Sequence, residues 1–185
     1  MPETSTEAAA DVPPTDSLTD PERLRDREGV RFTEETVVRE DRDHCATDVA
    51  GRAVVGLTDG AGAVLLAIHE TDAVGMLPHG PVDPGEDWAE VARDTVELVT
   101  GVPFELDGVE VVRGLDHVAE DEDEPHASTY NVVFRASLAD EAARATDPSL
   151  DENDHWNADW FDSVPDDLLP DDGGRVADDV RLFVD

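Results

Sequence analysis

Two runs in the middle of the chain, Arg52–Thr58 and Ala63–His69, are almost continuously apolar and rich in valine, leucine and isoleucine. Apolar runs of this length read as strands buried on both faces, or nearly so. Asp59-Gly60-Ala61-Gly62 separates them. Its two glycines are free to take positive φ, so the pair predicts a hairpin. Val109–Arg113 and Tyr130–Ala136 predict two further strands, joined across the acidic stretch Glu120–Pro125, and Thr33–Arg39 predicts an earlier one around Val37 and Val38. Glu86–Val99 reads as a helix, with Asp83, Asp87 and the Pro84-Gly85 turn at its entrance and Gly101 and Pro103 at its end. Val176, Ala177, Val180 and Phe183 have the spacing of a last amphipathic helix over Val176–Val184. A sheet packed between helices is the simplest way to bury such strands. The expected class is α+β, an α/β/α sandwich around a mixed sheet.

Composition changes this picture at the N-terminus. Residues 1–32 mix prolines (Pro2, Pro13, Pro14, Pro21) with Ser, Thr, Asp and Glu. Such a segment buries too little apolar surface to offset the entropy of ordering, so it is expected to be an acidic tail, disordered or loosely docked, with a short helical piece near Pro21–Arg25. One domain is expected over 33–185, because 185 residues suffice for one core and not comfortably for two.

Charge narrows the partners. The chain carries 47 acidic residues against 13 basic ones, all of them arginine, for a formal net charge of -34. At roughly 1 M salt the Debye length is about 3 Å, so surface carboxylates barely repel one another. The composition therefore resembles that of a protein from a salt-accumulating halophile, whose self-repulsion is tolerable in concentrated salt. Without a basic patch to neutralise phosphates, a nucleic-acid partner is excluded. No apolar stretch is long enough for a membrane span or placed as a signal peptide, and Cys45 is the only cysteine, so a cytoplasmic protein is expected.

One segment carries a motif. Leu77-Pro78-His79-Gly80-Pro81-Val82-Asp83-Pro84-Gly85-Glu86, followed in register by Val96, Gly101 and Val102, resembles the Nudix box, G-x5-E-x7-R-E-U-x-E-E-x-G-U. The order of predicted elements, with Asp159-Trp160-Phe161 before the final helix, is similar to the Nudix fold as well. The resemblance implies hydrolysis of a nucleoside diphosphate linked to another group. It also implies a magnesium or manganese ion held by glutamates of the box helix, where hard cations prefer oxygen ligands. Here Asp94 stands at the arginine position, Thr95 at the first catalytic glutamate, and Leu98 and Val99 at the glutamate pair. The frame of the box is present and most of its metal chemistry is replaced.

Among the matched positions, Glu86 is the catalytic and metal-binding candidate that the resemblance implies, although an acid near a helix N-terminus also complements the macrodipole. His79, Gly80 and Gly85 are the substrate-binding candidates, the glycines through loop conformation and close backbone approach. On a helix of about 100° per residue, Glu86, Glu90, Asp94 and Glu97 form one stripe, roughly 130° away from the direction of Thr95, Leu98 and Val99. That geometry makes the acids a solvated face and places Trp88, Val91 and Leu98 nearer the family's metal face. The Glu120–Glu124 run, His126, His44 and Cys45 lack the companions that a base, zinc site or nucleophile needs. Two functions stay open: a divergent hydrolase using magnesium or manganese, or a non-catalytic module that binds a nucleotide-derived small molecule. A purely structural platform has no exposed apolar stripe to favour it.

Overall fold

Consecutive residues of a strand point to opposite faces, and in the central strands of this chain both faces are buried. The computed structural model describes residues 17–40, 48–69, 71, 74–100, 104–138, 156–169 and 174–184. Its strands are β1 (Arg31–Arg39), β2 (Gly51–Thr58), β3 (Val64–His69), β4 (Gly75–Met76), β5 (His79–Val82), β6 (Phe104–Ala119), β7 (Ala127–Leu138) and β8 (Trp156–Phe161). Helix α1 (Trp88–Thr100) follows β5, and α2 (Arg175–Arg181) follows β8. The architecture is α+β. One mixed eight-stranded sheet runs in the order β1-β6-β7-β2-β3-β4, with β5 paired to β2 and β8 to β3. β1 is parallel to β6 and β2 to β7, while β6 and β7 are antiparallel.

Ala53, Val55, Leu57, Val112, Val132 and Phe134 pack on Ala89, Ala92 and Val96 of α1. Their strand neighbours Val54, Val111 and Val133, with Val64 and Leu66, pack on Ala177 and Val180 of α2. Each fully buried valine or leucine of these layers contributes about 1.5–3 kcal/mol. The expected hairpin forms around Asp59. Its Oδ1 accepts from the Ala61 and Ala63 amides at 2.9 Å each, and Gly62 takes φ +94°.

Several boundaries differ from the sequence expectation. The box helix begins at Trp88, not Glu86, because Asp87 caps it, accepting from the Ala89 and Glu90 amides at 2.9 and 3.3 Å. Trp88 itself is 2% exposed, stacked edge-on against Tyr130, so it belongs to the core and not to the metal face. β6 and β7 run well past their apolar cores, because polar cross-strand pairs such as Ser128–Asp116 (2.6 Å) extend the ladder. The last helix ends at Arg181, and Leu182 and Phe183 form a turn. The Phe183 ring packs against β2 at Gly56, where an added Cβ would come within 2.2 Å of it.

Of the expected tail, residues 17–32 lie against the domain. Leu18 is 6% exposed within the α1 core, its amide donates to Asp87 Oδ1 (3.0 Å), and its carbonyl accepts from the Trp88 amide (2.7 Å). The Tyr130 hydroxyl donates to Glu22 at 2.6 Å.

Candidate functional site

The Leu77–Gly85 segment enters the sheet edge-on and opens a cleft on each face. Leu77 and Pro78 are buried, and the Val55 amide donates to the Pro78 carbonyl at 2.9 Å, which anchors the segment before β5 begins. β5 then pairs antiparallel with β2, with Val54 opposite His79 and Ala53 opposite Gly80. Gly80 faces α1 so closely that a Cβ there would sit 2.7 Å from Thr95 Oγ1. Glycine is required at this crossing for space alone. Gly85, at φ +92° and exposed, makes the turn possible without lining either cleft.

The first cleft, about 520 Å³, lies between β5 and α1. Its polar groups are His79, Glu86, Asp94 and Thr95, with Val91 and Leu98 beside them. The structure thus brings His79, Gly80 and Glu86 together. It also corrects the helical-wheel reading in one respect: Asp94 and Glu86 share the wall with Thr95 and Leu98, whereas Glu90 and Glu97 do not line it. For Glu86 the cause is the late start of the helix, whereas Asp94 lies within the helix beside Thr95 and lines the cleft from there. Glu86 precedes α1 and folds back instead, its Oε2 accepting from the Asp83 amide at 2.8 Å.

This wall does not fit a bridging divalent cation. The Thr95 hydroxyl is donated to the Val91 carbonyl (2.8 Å), and Leu98, 73% exposed, offers no ligand. Among the described residues no three His, Cys, Asp or Glu side chains are grouped to hold a metal ion. His44, Cys45, Gly101, Val102 and Pro103 lie outside the described residues, as does the side chain of Val99.

The second cleft, about 530 Å³, lies on the α2 face of the sheet. Arg39 of β1, Arg52 of β2, Asn131 of β7 and Arg175 and Asp179 of α2 line it, and His79 lines both clefts. Val54, Met76, Leu77 and Leu115 supply apolar walls. The arginines are held differently. Arg39 Nε donates to His117 Nδ1 (3.2 Å), and His117 Nε2 meets Thr129 Oγ1 (2.9 Å), so this fully buried histidine is neutral and donates to the threonine. Arg175 is bound to Glu35 at 2.9 Å, while Arg52 is exposed at the rim.

Burial pushes the His79 imidazole below its ordinary pKa. The Leu77 carbonyl opposes that shift and the Arg52 charge adds to it. Because that carbonyl can only accept, Nδ1 is the protonated nitrogen (3.1 Å) and Nε2 is a bare acceptor in the neutral ring. Asp179 is pushed up by burial, against the pull of Arg113. At the N-terminus of α1, burial raises Asp87, but bonds from the Leu18 amide, the Ser17 hydroxyl and the Glu90 and Ala89 amides outweigh it and hold the carboxyl low.

The candidates His79, Gly80 and Glu86 meet at the first cleft, and of the sequence candidates only His79 lines the second. Its residues come from β1, β2, β6, β7 and α2, with no local spacing to mark them. A signal existed nonetheless: Arg52, His117, Thr129 and Asn131 are polar intrusions in otherwise apolar strands, and all fall on one face by period-two counting.

No family model matches the sequence, and no curated protein matches it. Two solved structures are similar in part. The Bacillus subtilis pyrophosphohydrolase BsRppH, in a mutant form, is 17% identical, with 76% of this chain and 84% of that one covered and a TM-score of 0.46. DR0079 from Deinococcus radiodurans is 18% identical, with 77% and 88% covered and a TM-score of 0.43.

Proposed function

We propose that this domain binds a nucleotide-derived, phosphate-bearing small molecule in the arginine-lined cleft, as a binding module without metal-dependent turnover. One observation carries the reading. In a chain of net charge -34, three arginines line a single cleft against one carboxylate, Asp179. Guanidinium groups present planar donor forks suited to phosphate. The apolar walls and the Asn131 amide, with both a donor and an acceptor, suit a base or similar ring. The size of the cleft fits a ligand of that class.

The Nudix-type box in the sequence supports the same ligand class, and the composition of the first cleft argues against hydrolysis through magnesium or manganese. A second reading, a divergent hydrolase, is favoured by one feature: Glu86 and Asp94 share a wall with Gly80. Calorimetric titration of a nucleotide panel in molar KCl, with and without magnesium or manganese, separates the two. The binding module is expected to bind without metal and to weaken on Arg52→Gln. Metal-dependent hydrolysis lost in Glu86→Gln and Asp94→Asn would replace it with the hydrolase.

A further inference from the structure

Beyond the C-terminal end of the arginine-lined cleft, α2 and the start of β1 enclose a separate groove of about 390 Å³. Arg31, Thr33, Arg113 and Arg181 line it, with Glu35 and Asp178 as its acids. Six of the 13 arginines of the chain are thus divided between this groove and the cleft beside it (Arg31, Arg113 and Arg181 here; Arg39, Arg52 and Arg175 there). Thr33 and Arg113 are direct neighbours across the parallel β1–β6 pair.

Arg113 is the informative residue. Its side chain is 8% exposed. Nη2 donates to Asp179 at 3.0 Å and Nε lies 3.4 Å from Glu35, but the buried Nη1 has no hydrogen-bond partner among the described residues. The buried Thr33 hydroxyl has none either. Buried polar groups are nearly always paired, most strictly when charged. Two such groups adjacent on one wall, one of them cationic, mark a place where a ligand completes the bonding.

We propose that this groove is a second anion site, distinct from the nucleotide cleft, and that it takes a small oxyanion of the inorganic phosphate class. Arg113 Nη1 and the Thr33 hydroxyl supply donors on its wall, and Arg31 and Arg181, the latter 3.7 Å from Asp178, stand exposed along it. Donors diverging around a space of this size suit a tetrahedral oxyanion better than a bare halide. The groove lacks the apolar walls a base would need: Val111 and Leu182 are its only apolar lining residues among those described.

The test is a calorimetric titration of inorganic phosphate into the full chain at constant molar KCl, which keeps the fold screened and chloride saturating. Saturable one-site binding is expected, weakened about tenfold by Thr33→Val and by the paired rim changes Arg31→Gln with Arg181→Gln. Arg52→Gln, in the other cleft, is expected to leave it unchanged. Thr33→Val keeps shape while removing the hydroxyl, and the rim variants sit at exposed positions, so a folding defect in one leaves the other informative. The proposal is overturned by the absence of saturable binding, by binding lost only in Arg52→Gln, or by phosphate excluded at every concentration because chloride holds the groove.

Discussion

The two faces of the sheet carry different chemistry. On the α1 face, the cleft under α1 has Gly80 pressed against Thr95 and presents two carboxylates beside a leucine. On the α2 face, no recognisable motif exists, yet arginines from three elements converge with histidines and an asparagine. Local sequence spacing thus marks the backbone frame of a cleft more visibly than the side chains gathered in it. His79 touches both clefts and ties one face to the other.

The largest expected effect acts on both faces and sharpens the contrast by its sign. Diluting KCl below about 1 M lengthens the Debye length and restores repulsion among the 47 acids, so thermal melting is expected to fall steeply. Anion affinity in the arginine cleft should move the other way and rise as salt falls, measured over the range where the protein stays folded. A melting midpoint indifferent to salt would contradict the electrostatic account of the surface.

Next in size is Arg52→Gln. It is expected to weaken nucleotide binding about tenfold or more, the value of one charge-assisted bond, while Glu86→Gln changes affinity by less than about twofold. The reverse ranking in calorimetry would move the ligand to the α1 face. A smaller gain is expected from Thr95→Glu with Leu98→Glu, which adds carboxylates to the α1 cleft. Manganese binding should become detectable by titration where the wild type shows none, with some loss of stability because Thr95 is packed against Gly80. Wild-type affinity equal to that of the double variant would show that Glu86 and Asp94 already suffice.

The smallest effect tests the residue between the clefts. His79 is held below its ordinary pKa by burial and by Arg52, and a bound anion would raise it again. Binding then takes up a proton, so affinity increases as pH falls from the bound-state value and levels off below the free-state value. A few-fold tighter binding at about pH 5.5 than at about pH 7.5, abolished by His79→Gln, is expected. A flat profile would place the anion out of reach of the imidazole.

What could be read in the sequence follows from how local each signal is. The β2–β3 hairpin, α1 and the core of β7 were legible because period, turn glycines and bounding prolines act within a few residues. Leu18 was not, since nothing near it in sequence announces that a proline-rich acidic segment carries a core side chain. The face assignment of Glu86 failed for a similarly specific reason: a wheel presumes a helix from its first residue, and this one, capped by Asp87, starts two residues after Glu86. The second cleft required knowing that β1 lies parallel to β6 and that α2 crosses above them. Both are long-range facts.

The docking of Leu18 also decides how this protein can be cut. Its amide and carbonyl are both bonded to the first turn of α1, and its side chain lies in the same core as Trp88. A truncation that begins at residue 33 would look generous by composition. It would nevertheless unseat the cap of the box helix, leave the Trp88 amide without its acceptor and uncover apolar surface beside it. A protease that cuts past Leu18 is therefore expected to release an aggregating fragment.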